Sequence, residues 1–305
     1  MAELIITRTV AELRSEMAEL IRDRDATSVG LIPTMGALHG GHAALMQAAR
    51  AAHEVVVASL FINPLQFESP LDLERYPRDL AGDCQTMQEA GVDIIFAPEV
   101  EEMYPGYPDA PIIRVSSGRM GTTLEGASRP SHFDGVATVV AKLFNIFDPP
   151  GPARLHAYFG EKDAQQVMIV KRMVEDMNFP VTIEPVPTQR TPAGLAMSSR
   201  NLLLSSEQEE AALALSKALF ALRERARAGR DWDLEGLRRQ VHSTPDVTLD
   251  YLEVVDPATL EATTELPALA LIAAYVGSVR LIDNLHIDPG APTSGTSQRT
   301  RCSSP

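Results

Sequence analysis

Cysteine is scarce in this sequence of 305 residues, which contains only Cys84 and Cys302. The two lie far apart and neither belongs to a Cys-x-x-Cys or Cys/His pattern, so the sequence indicates neither a disulfide framework nor a structural zinc site. Basic residues are also outnumbered, with 27 Lys and Arg against 41 Asp and Glu and a formal net charge of -14. Because this balance repels a polyanion, we expect that nucleic acid is not a principal partner.

Long apolar runs are missing as well. The most apolar stretch, residues 266–279, is shorter than the roughly 18 to 20 residues that span a membrane, so we predict buried sheet there and no membrane segment. Residues 1–23 are charged throughout and lack the basic start, apolar stretch and cleavage site of a signal peptide. Together with the scarcity of cysteine, this pattern predicts a cytoplasmic protein.

Strand-like and helix-like patterns alternate through the first 190 residues. The β-rich segments are residues 29–33, 55–62, 92–97 and 181–186, and the amphipathic helical segments are residues 41–52, 80–90, 133–147 and 163–177. This alternation predicts βαβ units around a parallel sheet. Ligands bind such sheets at the carboxyl ends of the strands, so the loops that follow strands are the candidates for chemistry.

After residue 201 the pattern changes. A long helix is predicted over residues 205–228, begun by the capping signal Ser206-x-x-Glu209 and ended by Gly229, and a second helix follows from Leu234. Strand-like segments then cover residues 249–255, 269–276 and 279–287, the last two separated by Gly277-Ser278 as in a hairpin.

We therefore expect an α/β fold with a Rossmann-like parallel sheet in the N-terminal domain, residues 1–188. A smaller α+β domain, residues 189–290, would act as a lid. The tail is rich in Pro, Gly, Ser and Thr, cannot bury a core, and is predicted to be disordered over residues 291–305.

The first strand runs into Thr34-Met35-Gly36 and then into His39-Gly40-Gly41-His42 at the start of a helix. Glycines allow close backbone approach, a helix N-terminus offers unpaired N–H groups, and two imidazoles three residues apart face one side. This combination favours a polyphosphate. From the spacing alone, two alternatives stay open: polar residues of an ordinary loop, or half of a metal site.

Amides follow the second strand at Asn63 and Gln66, at the same expected sheet edge. An amide both donates and accepts hydrogen bonds, so this pair suits the hydroxyls and carboxylate of a small polar substrate. The alternative is a turn anchored by Asn63-Pro64.

Two later loops add polar and charged groups. Residues 124–133 bring Glu125, Arg129 and His132 to the head of a helix. Residues 159–166 contain Lys162, which could neutralise a phosphate, and Asp163, which could bind a ribose hydroxyl or cap a helix. Each loop, taken separately, is also compatible with an ordinary solvated loop.

The segment 194–201 lies at the expected boundary between the two domains and places two hydroxyls beside a guanidinium, at Ser198, Ser199 and Arg200. A boundary loop of this kind can close over triphosphate oxygens. A Ser-rich linker is the alternative, but the apolar Leu195-Ala196-Met197 favours a packed element.

In chain order these segments resemble the pantothenate synthetase family, the pantoate–β-alanine ligases of the HIGH-type nucleotidyltransferase superfamily. The resemblance covers residues 5–287 and rests on the motifs PTMGALHGGH, FINPLQF, YPRD, LEGASRPSHFDGVATVVAKLF, YFGEKDAQQ and GLAMSSRN. Residues 39–42 look like the HIGH-type signature, and residues 197–200 occupy the place of the KMSKS-type loop.

The resemblance implies a two-step reaction in which pantoate and ATP give pantoyl adenylate and pyrophosphate, and the amine of β-alanine then releases AMP. It implies Mg²⁺ on the phosphates and a homodimer. The residues suited to stabilising charge in this reaction are His39, His42, Lys162, Ser198, Ser199 and Arg200. The family assigns His42 a proton-donor role, although an imidazole hydrogen-bonded to phosphate would meet the same requirement.

The resemblance also implies binding residues. Those for ATP are Met35, Gly36, Ala37, Leu38, His39, Gly40, Gly41, His42, Gly160, Glu161, Lys162, Asp163, Gln189, Met197, Ser198, Ser199 and Arg200. Those for pantoate and β-alanine are Gln66 and Gln166, to which the residue pattern adds Asn63. Direct metal ligands are not indicated.

Two segments depart from the family's pattern. Residues 148–156 are longer than the usual connection and are expected to form a surface insertion, and residues 191–193 replace an acidic stretch beside the ATP loop.

Two other functions stay open: a nucleotidyltransferase that acts on another small hydroxy acid, and a non-catalytic nucleotide-binding protein. A truncated aminoacyl-tRNA synthetase is disfavoured by the acidic charge and by the small C-terminal domain.

Overall fold

The computed structural model describes residues 4–288, and its centre is a six-stranded sheet in which every neighbouring pair is parallel. Its strands are β1 (Ile5–Thr7), β2 (Ser28–Thr34), β3 (Val55–Leu60), β4 (Ile94–Phe96), β5 (Arg154–Gly160) and β6 (Val181–Val186). The order across the sheet is β1-β4-β3-β2-β5-β6. The chain therefore reverses its direction of travel across the sheet between β2 and β5, which is the switch point where open α/β sheets bind ligands.

Helices cover both faces of this sheet. The helices of this part of the chain are α1 (Val10–Asp23), α2 (Gly40–Ala52), α3 (Pro70–Arg75), α4 (Leu80–Glu89), α5 (Val100–Met103), α6 (Glu125–Ser128), α7 (His132–Ile146) and α8 (Ala164–Met177). Side chains along β3 alternate between the two sides: Val55 and Val57 pack with α1, α7 and α8, whereas Val56 packs with α2 and α4. Both faces of the sheet are thus buried from solvent, as is usual for a parallel sheet.

The C-terminal part is a three-stranded antiparallel sheet covered by two helices. Its elements are α9 (Ser206–Arg227), α10 (Leu234–His242), β7 (Val247–Val255), β8 (Ala268–Val276) and β9 (Val279–Ile287), with the strands in the order β7-β8-β9. Leu215, Leu219 and Leu222 of α9 pack against the apolar side chains of this sheet. Gly277, at φ +56°, supplies the positive φ of the two-residue turn that joins β8 to β9.

The predicted fold class is confirmed, while several boundaries move. The segment predicted as a strand over residues 92–97 contains only the three residues of β4. The capping box of α9 is formed by Ser205 and Gln208, one residue earlier than the predicted Ser206 and Glu209, because the cap is the residue just outside the first helical turn. The long connection is a loop only over residues 148–153, since β5 begins at Arg154 and Leu155 is buried in the core.

The predicted disordered tail, residues 291–305, lies outside the described residues. Within residues 4–288, no helix combines the length and the apolar character needed to cross a bilayer.

Candidate functional site

A cleft of about 1820 Å³ lies at the carboxyl ends of β2, β3 and β5 and is closed on one side by β9. Pockets for one small ligand usually measure roughly 300–1,000 Å³, so this cleft has room for more than one substrate. The predicted site residues that line it are Met35, Ala37, Leu38, His39, Gly41, His42, Gln66, Gly160, Lys162, Asp163, Gln166, Gln189, Met197, Ser198, Ser199 and Arg200. Four predicted residues stand outside the lining: Gly36, Gly40, Glu161 and Asn63.

The two histidines of the first loop cap their own helix. His39 is the N-cap of α2, and its Nδ1 accepts the Gly41 N–H at 3.1 Å, while Nδ1 of His42 accepts the His39 N–H at 3.3 Å. A ring nitrogen that accepts carries no proton, so each neutral ring bears its proton on Nε2. The ring centroids are 4.3 Å apart, and both rings line the cleft. Each ring of the pair therefore has one Nε2–H left to donate.

The surroundings keep both rings neutral. Burial, assisted by the charge of Lys162, lowers the pKa of His39. Burial and the neighbouring His39 lower the pKa of His42 to about 4. In the free protein at neutral pH, His42 is therefore a hydrogen-bond donor without a positive charge.

Much of the backbone of this loop is occupied. At the start of α2 the N–H groups of Gly41, His42 and Ala43 have internal acceptors, and within residues 4–288 the Gly40 N–H has none, so the helix start offers fewer unpaired N–H groups than the sequence predicts. The carboxylate of Asp83 on α4 accepts the N–H groups of Ala37 and Leu38 at 3.1 and 2.9 Å. The Gly36 N–H donates to Thr34 Oγ1, and the histidine rings occupy two more N–H groups. A ligand at this loop is therefore met mainly by imidazole side chains rather than by a backbone cradle.

Gly36 and Gly40 do not line the cleft, but each allows a neighbouring side chain to approach the loop closely. Gly36 has φ +87°, and a Cβ there would stand 2.7 Å from Asp83 Oδ2. A Cβ at Gly40 would stand 2.8 Å from Cε of Met197, so the methionine side chain lies directly on the start of α2. The residues predicted to hold ATP from the first loop and from the domain boundary are thus in contact.

The lysine loop, residues 160–163, lies at the end of β5 and lines the cleft through Gly160, Lys162 and Asp163. Lys162 Nζ donates to Asp163 Oδ1 at 3.3 Å. Burial raises the pKa of Asp163, but Lys162 and Arg200 outweigh this effect, and the pKa lies below its ordinary value. Glu161 departs from its prediction: its carboxylate is directed towards the C-terminal sheet, 3.8 Å from His286 Nε2.

The serine loop, residues 197–200, directly follows a short hairpin. Arg190 bridges to Ala196, and the Met197 N–H donates to the Gln189 carbonyl at 2.8 Å. The backbone carbonyl of Gln189, a predicted ATP-binding residue, thus already has one internal partner. Arg200 is exposed at the cleft rim, where its Nη1 donates to the Arg280 carbonyl at 3.0 Å.

Asn63 supports Gln66 rather than facing the cleft. It is fully buried, and its Nδ2 donates to Gln66 Oε1 and to the Gly135 carbonyl, both at 3.0 Å. Its Oδ1 accepts from Tyr104 Oη and from the Leu65 N–H. With all four hydrogen-bonding positions used, Asn63 has none left for a substrate, which corrects its predicted role. Because Gln66 Oε1 is occupied, its Nε2 is the group free to donate into the cleft.

Arg129 and His132 contact the backbone carbonyl of Gln66. His132 Nδ1 donates to the Gln66 carbonyl at 3.1 Å, and its Nε2 accepts from Arg129 Nη1 at 3.2 Å, so this ring is also neutral. Burial and Arg129 lower the pKa of His132 to about 4. Among residues 4–288, no carboxylate forms a salt bridge with Arg129, which lines the cleft and therefore offers a cation to an acid.

An ionic cluster joins α6 to the C-terminal sheet at the edge of the cleft. Arg280 of β9 donates to both carboxylate oxygens of Glu125 at 2.7 and 2.8 Å and to Asp250 at 2.7 Å. Tyr251 Oη donates to Glu125 at 2.8 Å. The Arg280 and Glu125 side chains are largely buried, so separating α6 from the C-terminal sheet would leave these two charges without most of their partners.

The sequence model of the family described as pantoate-beta-alanine ligase matches residues 5–286. This chain belongs to that family. Two relatives named pantothenate synthetase are similar over nearly their whole length. The protein of Paenarthrobacter aurescens (strain TC1) is 52% identical over 290 residues, which cover 90% of this chain and 98% of that protein. The protein of Corynebacterium glutamicum (strain R) is 54% identical over 268 residues, which cover 85% and 94%.

Solved structures of the ligase family share the fold. The pantothenate synthetase of Thermus thermophilus superposes with a TM-score of 0.83 at 45% identity, covering 94% of this chain and all of that one. The pantoate-beta-alanine ligase of Francisella tularensis, complexed with beta-gamma ATP and beta-alanine, gives a TM-score of 0.75 at 35% identity over 94% and 99% of the two chains. The chain is thus a ligase of this family.

The site of this ligase contains residues that the sequence did not single out. Asp83 is one, because a carboxylate far along the chain from the loop that it holds carries no local signal. Tyr251 and Arg280 are others, since they contact Glu125 only where β7 and β9 of the C-terminal sheet meet α6. No group of three or more His, Cys, Asp or Glu within residues 4–288 is arranged to hold a metal ion by itself.

Proposed function

We propose that this ligase condenses pantoate with β-alanine at the expense of ATP, through pantoyl adenylate. The observation that carries the proposal is the convergence of three kinds of group on one cleft: two imidazole N–H donors, the Lys162 ammonium, and the free amide of Gln66. The first two suit a triphosphate and the third suits a hydroxy acid. The size of the cleft supports simultaneous binding of both.

In the first step the carboxylate of pantoate attacks the α-phosphorus of ATP, and the bond to pyrophosphate breaks. The protein needs to align these atoms and to stabilise the charge that moves onto the departing oxygens. We assign that charge stabilisation to the Nε2–H groups of His39 and His42, to Lys162, and to Ser198, Ser199 and Arg200 of the serine loop. The neutral state of His42 favours hydrogen-bond donation over full proton transfer.

The acid substrates would bind on the other side of the cleft. Gln66 Nε2 donates to pantoate, and Gln166, one turn inside α8, provides a second amide. Asn63 contributes indirectly, because it fixes which end of the Gln66 amide faces the substrate. Arg129, beside Gln66, is suited to hold the carboxylate of β-alanine while its amine attacks the acyl carbon and releases AMP.

Magnesium fits this arrangement as a partner of the phosphates. Mg²⁺ is usually held by one or two carboxylates together with substrate phosphates and water. Asp163, a partly exposed carboxylate that stays ionised beside Lys162, is the group suited to that task. When bound, the ion would neutralise charge on the phosphate oxygens.

Several broader features belong to the same proposal. Residues 1–188 would bind ATP and pantoate, and residues 189–290 would act as the lid that carries the serine loop. The family resemblance supports a homodimer. The scarcity of cysteine supports a cytoplasmic location.

The test is an assay of purified protein with ATP, Mg²⁺ and pantoate, in which pyrophosphate release and pantothenate formation are followed with and without β-alanine. We expect both products. Pyrophosphate without pantothenate would favour adenylate transfer to another acceptor, and no pyrophosphate under any condition would favour a non-catalytic nucleotide-binding protein.

A matched pair of variants ties the activity to the cleft. Lys162→Met keeps the length of the side chain but removes its charge, and should greatly reduce pyrophosphate release. Lys217→Met makes the same change on the exposed face of α9 and should leave release unchanged. Equal activity of the two variants would contradict the role of Lys162.

A further inference from the structure

We infer that Asp283 and Asn284, adjacent residues of β9, are positioning residues that hold the lysine loop and the serine loop at a fixed separation for ATP. The inference rests on the proposed function of those loops. Both residues are 4% exposed and line the cleft. Neither residue needs to touch the reacting atoms for this role.

Asn284 fixes the lysine loop. Its Nδ2 carries two protons and donates to two successive carbonyls, those of Glu161 and Lys162, each at 2.7 Å. Two bonds from one planar amide define both the distance and the orientation of that turn. The Lys162 side chain projects from the peptide that is held in this way.

Asp283 fixes the base of the hairpin that carries the serine loop. Its carboxylate receives both terminal nitrogens of Arg190, at 2.6 and 2.8 Å, in the bidentate geometry that gives the most directional ion pairs. Arg190 also donates to the Gly194 carbonyl at 3.1 Å, across the same hairpin. The hairpin that ends in Met197 is therefore attached to β9.

β9 is suited to hold the two loops at a fixed separation. β9 pairs with β8 without interruption from Ala268↔Ile287 to Val276↔Val279, so its backbone is fixed along its full length. The side chains at positions 283 and 284 point to opposite faces of a strand. One therefore reaches the hairpin and the other the lysine loop, and the separation of the two loops is set by a single peptide unit.

The first experiment measures KM for ATP and for pantoate separately in Asn284→Ala. Release of the lysine loop should raise KM for ATP at least about tenfold, because small misplacements of binding groups are costly. KM for pantoate should change less than about threefold, since Gln66 is held by Asn63 and not by β9. Thermal unfolding of the same sample establishes that the variant is folded.

Asn284→Asp provides a chemical signature that loss of packing would not produce. An ionised aspartate donates nothing and repels both carbonyls, whereas a protonated aspartate has one O–H to donate. Its kcat/KM for ATP, relative to the wild-type value at each pH, should therefore recover in part as the pH is lowered from 8 to 6, while the alanine variant shows no recovery. Asn145→Asp is the matched control: its amide donates to the Ala141 carbonyl at 2.9 Å on the exposed side of α7.

The outcomes distinguish this inference from the proposed function. An inactive wild-type protein would refute the proposed function. An active wild-type protein whose Asn284 variants keep a normal KM for ATP would refute the positioning role. So would equal rises in both KM values, or loss of the fold in both variants, because either result would mean that Asn284 serves general stability.

Discussion

Replacing His42 by alanine removes Nδ1, which caps α2, and Nε2, whose N–H we assign to a phosphate oxygen. A hydrogen bond to a charged group contributes about 1.5–3 kcal/mol, and loss of one donor aimed at developing charge typically lowers kcat by about 10² to 10³. We therefore expect pyrophosphate release to fall by about 10² to 10³. The lost cap leaves only the His39 N–H without its acceptor, so the free energy of unfolding should fall by about 1 kcal/mol.

The pH profile separates a neutral donor from a proton donor. Burial places the pKa of His42 at about 4, so the ring of the free enzyme is neutral above about pH 5. Because kcat/KM reports ionisations of the free enzyme, its value for ATP should show no His42-dependent change between pH 6 and 8 and should decline only towards pH 4. If the cationic ring were the active form, kcat/KM would instead rise as the pH falls through this range.

The assay is pantoate-dependent pyrophosphate release, measured across pH for the wild type, His42→Ala and His242→Ala. His242 is exposed near the end of α10, so its loss controls for removal of a histidine. A His42→Ala rate within threefold of the wild type would refute the assigned role. A change of kcat/KM for ATP with an apparent pKa near 6.5 that disappears in His42→Ala would refute the neutral-donor argument.

Two further predictions concern the elements behind Gln66. A Cβ at Gly135 would stand 2.3 Å from the backbone oxygen of Leu65, so Gly135→Ala should lower the free energy of unfolding, measured in urea, by about 1–3 kcal/mol. Gly160→Ala is the control, because a Cβ there meets open space and should change the free energy of unfolding little. Equal effects of the two substitutions would contradict the packing argument. Burial lowers the pKa of His132 from 6.5 to about 4, so the unfolded chain binds a proton between these values that the folded chain does not. This residue should destabilise the fold by up to about 3 kcal/mol as the pH falls from 6.5 to 4 and should have no effect above 6.5. His132→Gln should flatten that part of the stability profile, and an unchanged profile would show that the argument is wrong.

Elements with a strong local pattern were predictable from the sequence. β6 is bounded by Pro180 and Pro187 and β9 begins after a turn, and both match their predicted limits. β1 was missed because three residues show no periodicity, and it becomes a strand only by pairing with β4. The start of α1 carries a capping box of Thr9 and Glu12, which is a local sequence signal, so this helix was predictable as well.

The candidate site was predictable as a set of residues but not as a set of bonds. The motifs brought together the histidines, Lys162 and the serine loop, which do line one cleft. They did not reveal that Asp83 occupies two backbone N–H groups or that Asn63 is fully engaged behind Gln66. Which of two neighbouring amides faces a substrate depends on the packing of α7 against the turn after β3, and this information is distributed along the chain.

The imidazoles of His39 and His42 each present an acceptor to the protein and a donor to the cleft, on opposite edges of one rigid ring. Helix initiation and ligand contact are therefore coupled within single side chains, and mutation cannot readily improve one without affecting the other. Among the remaining side chains, only the amides of asparagine and glutamine carry an acceptor and an N–H donor on a compact planar group. The room for sequence change at these two positions is correspondingly narrow, for evolution and for engineering alike.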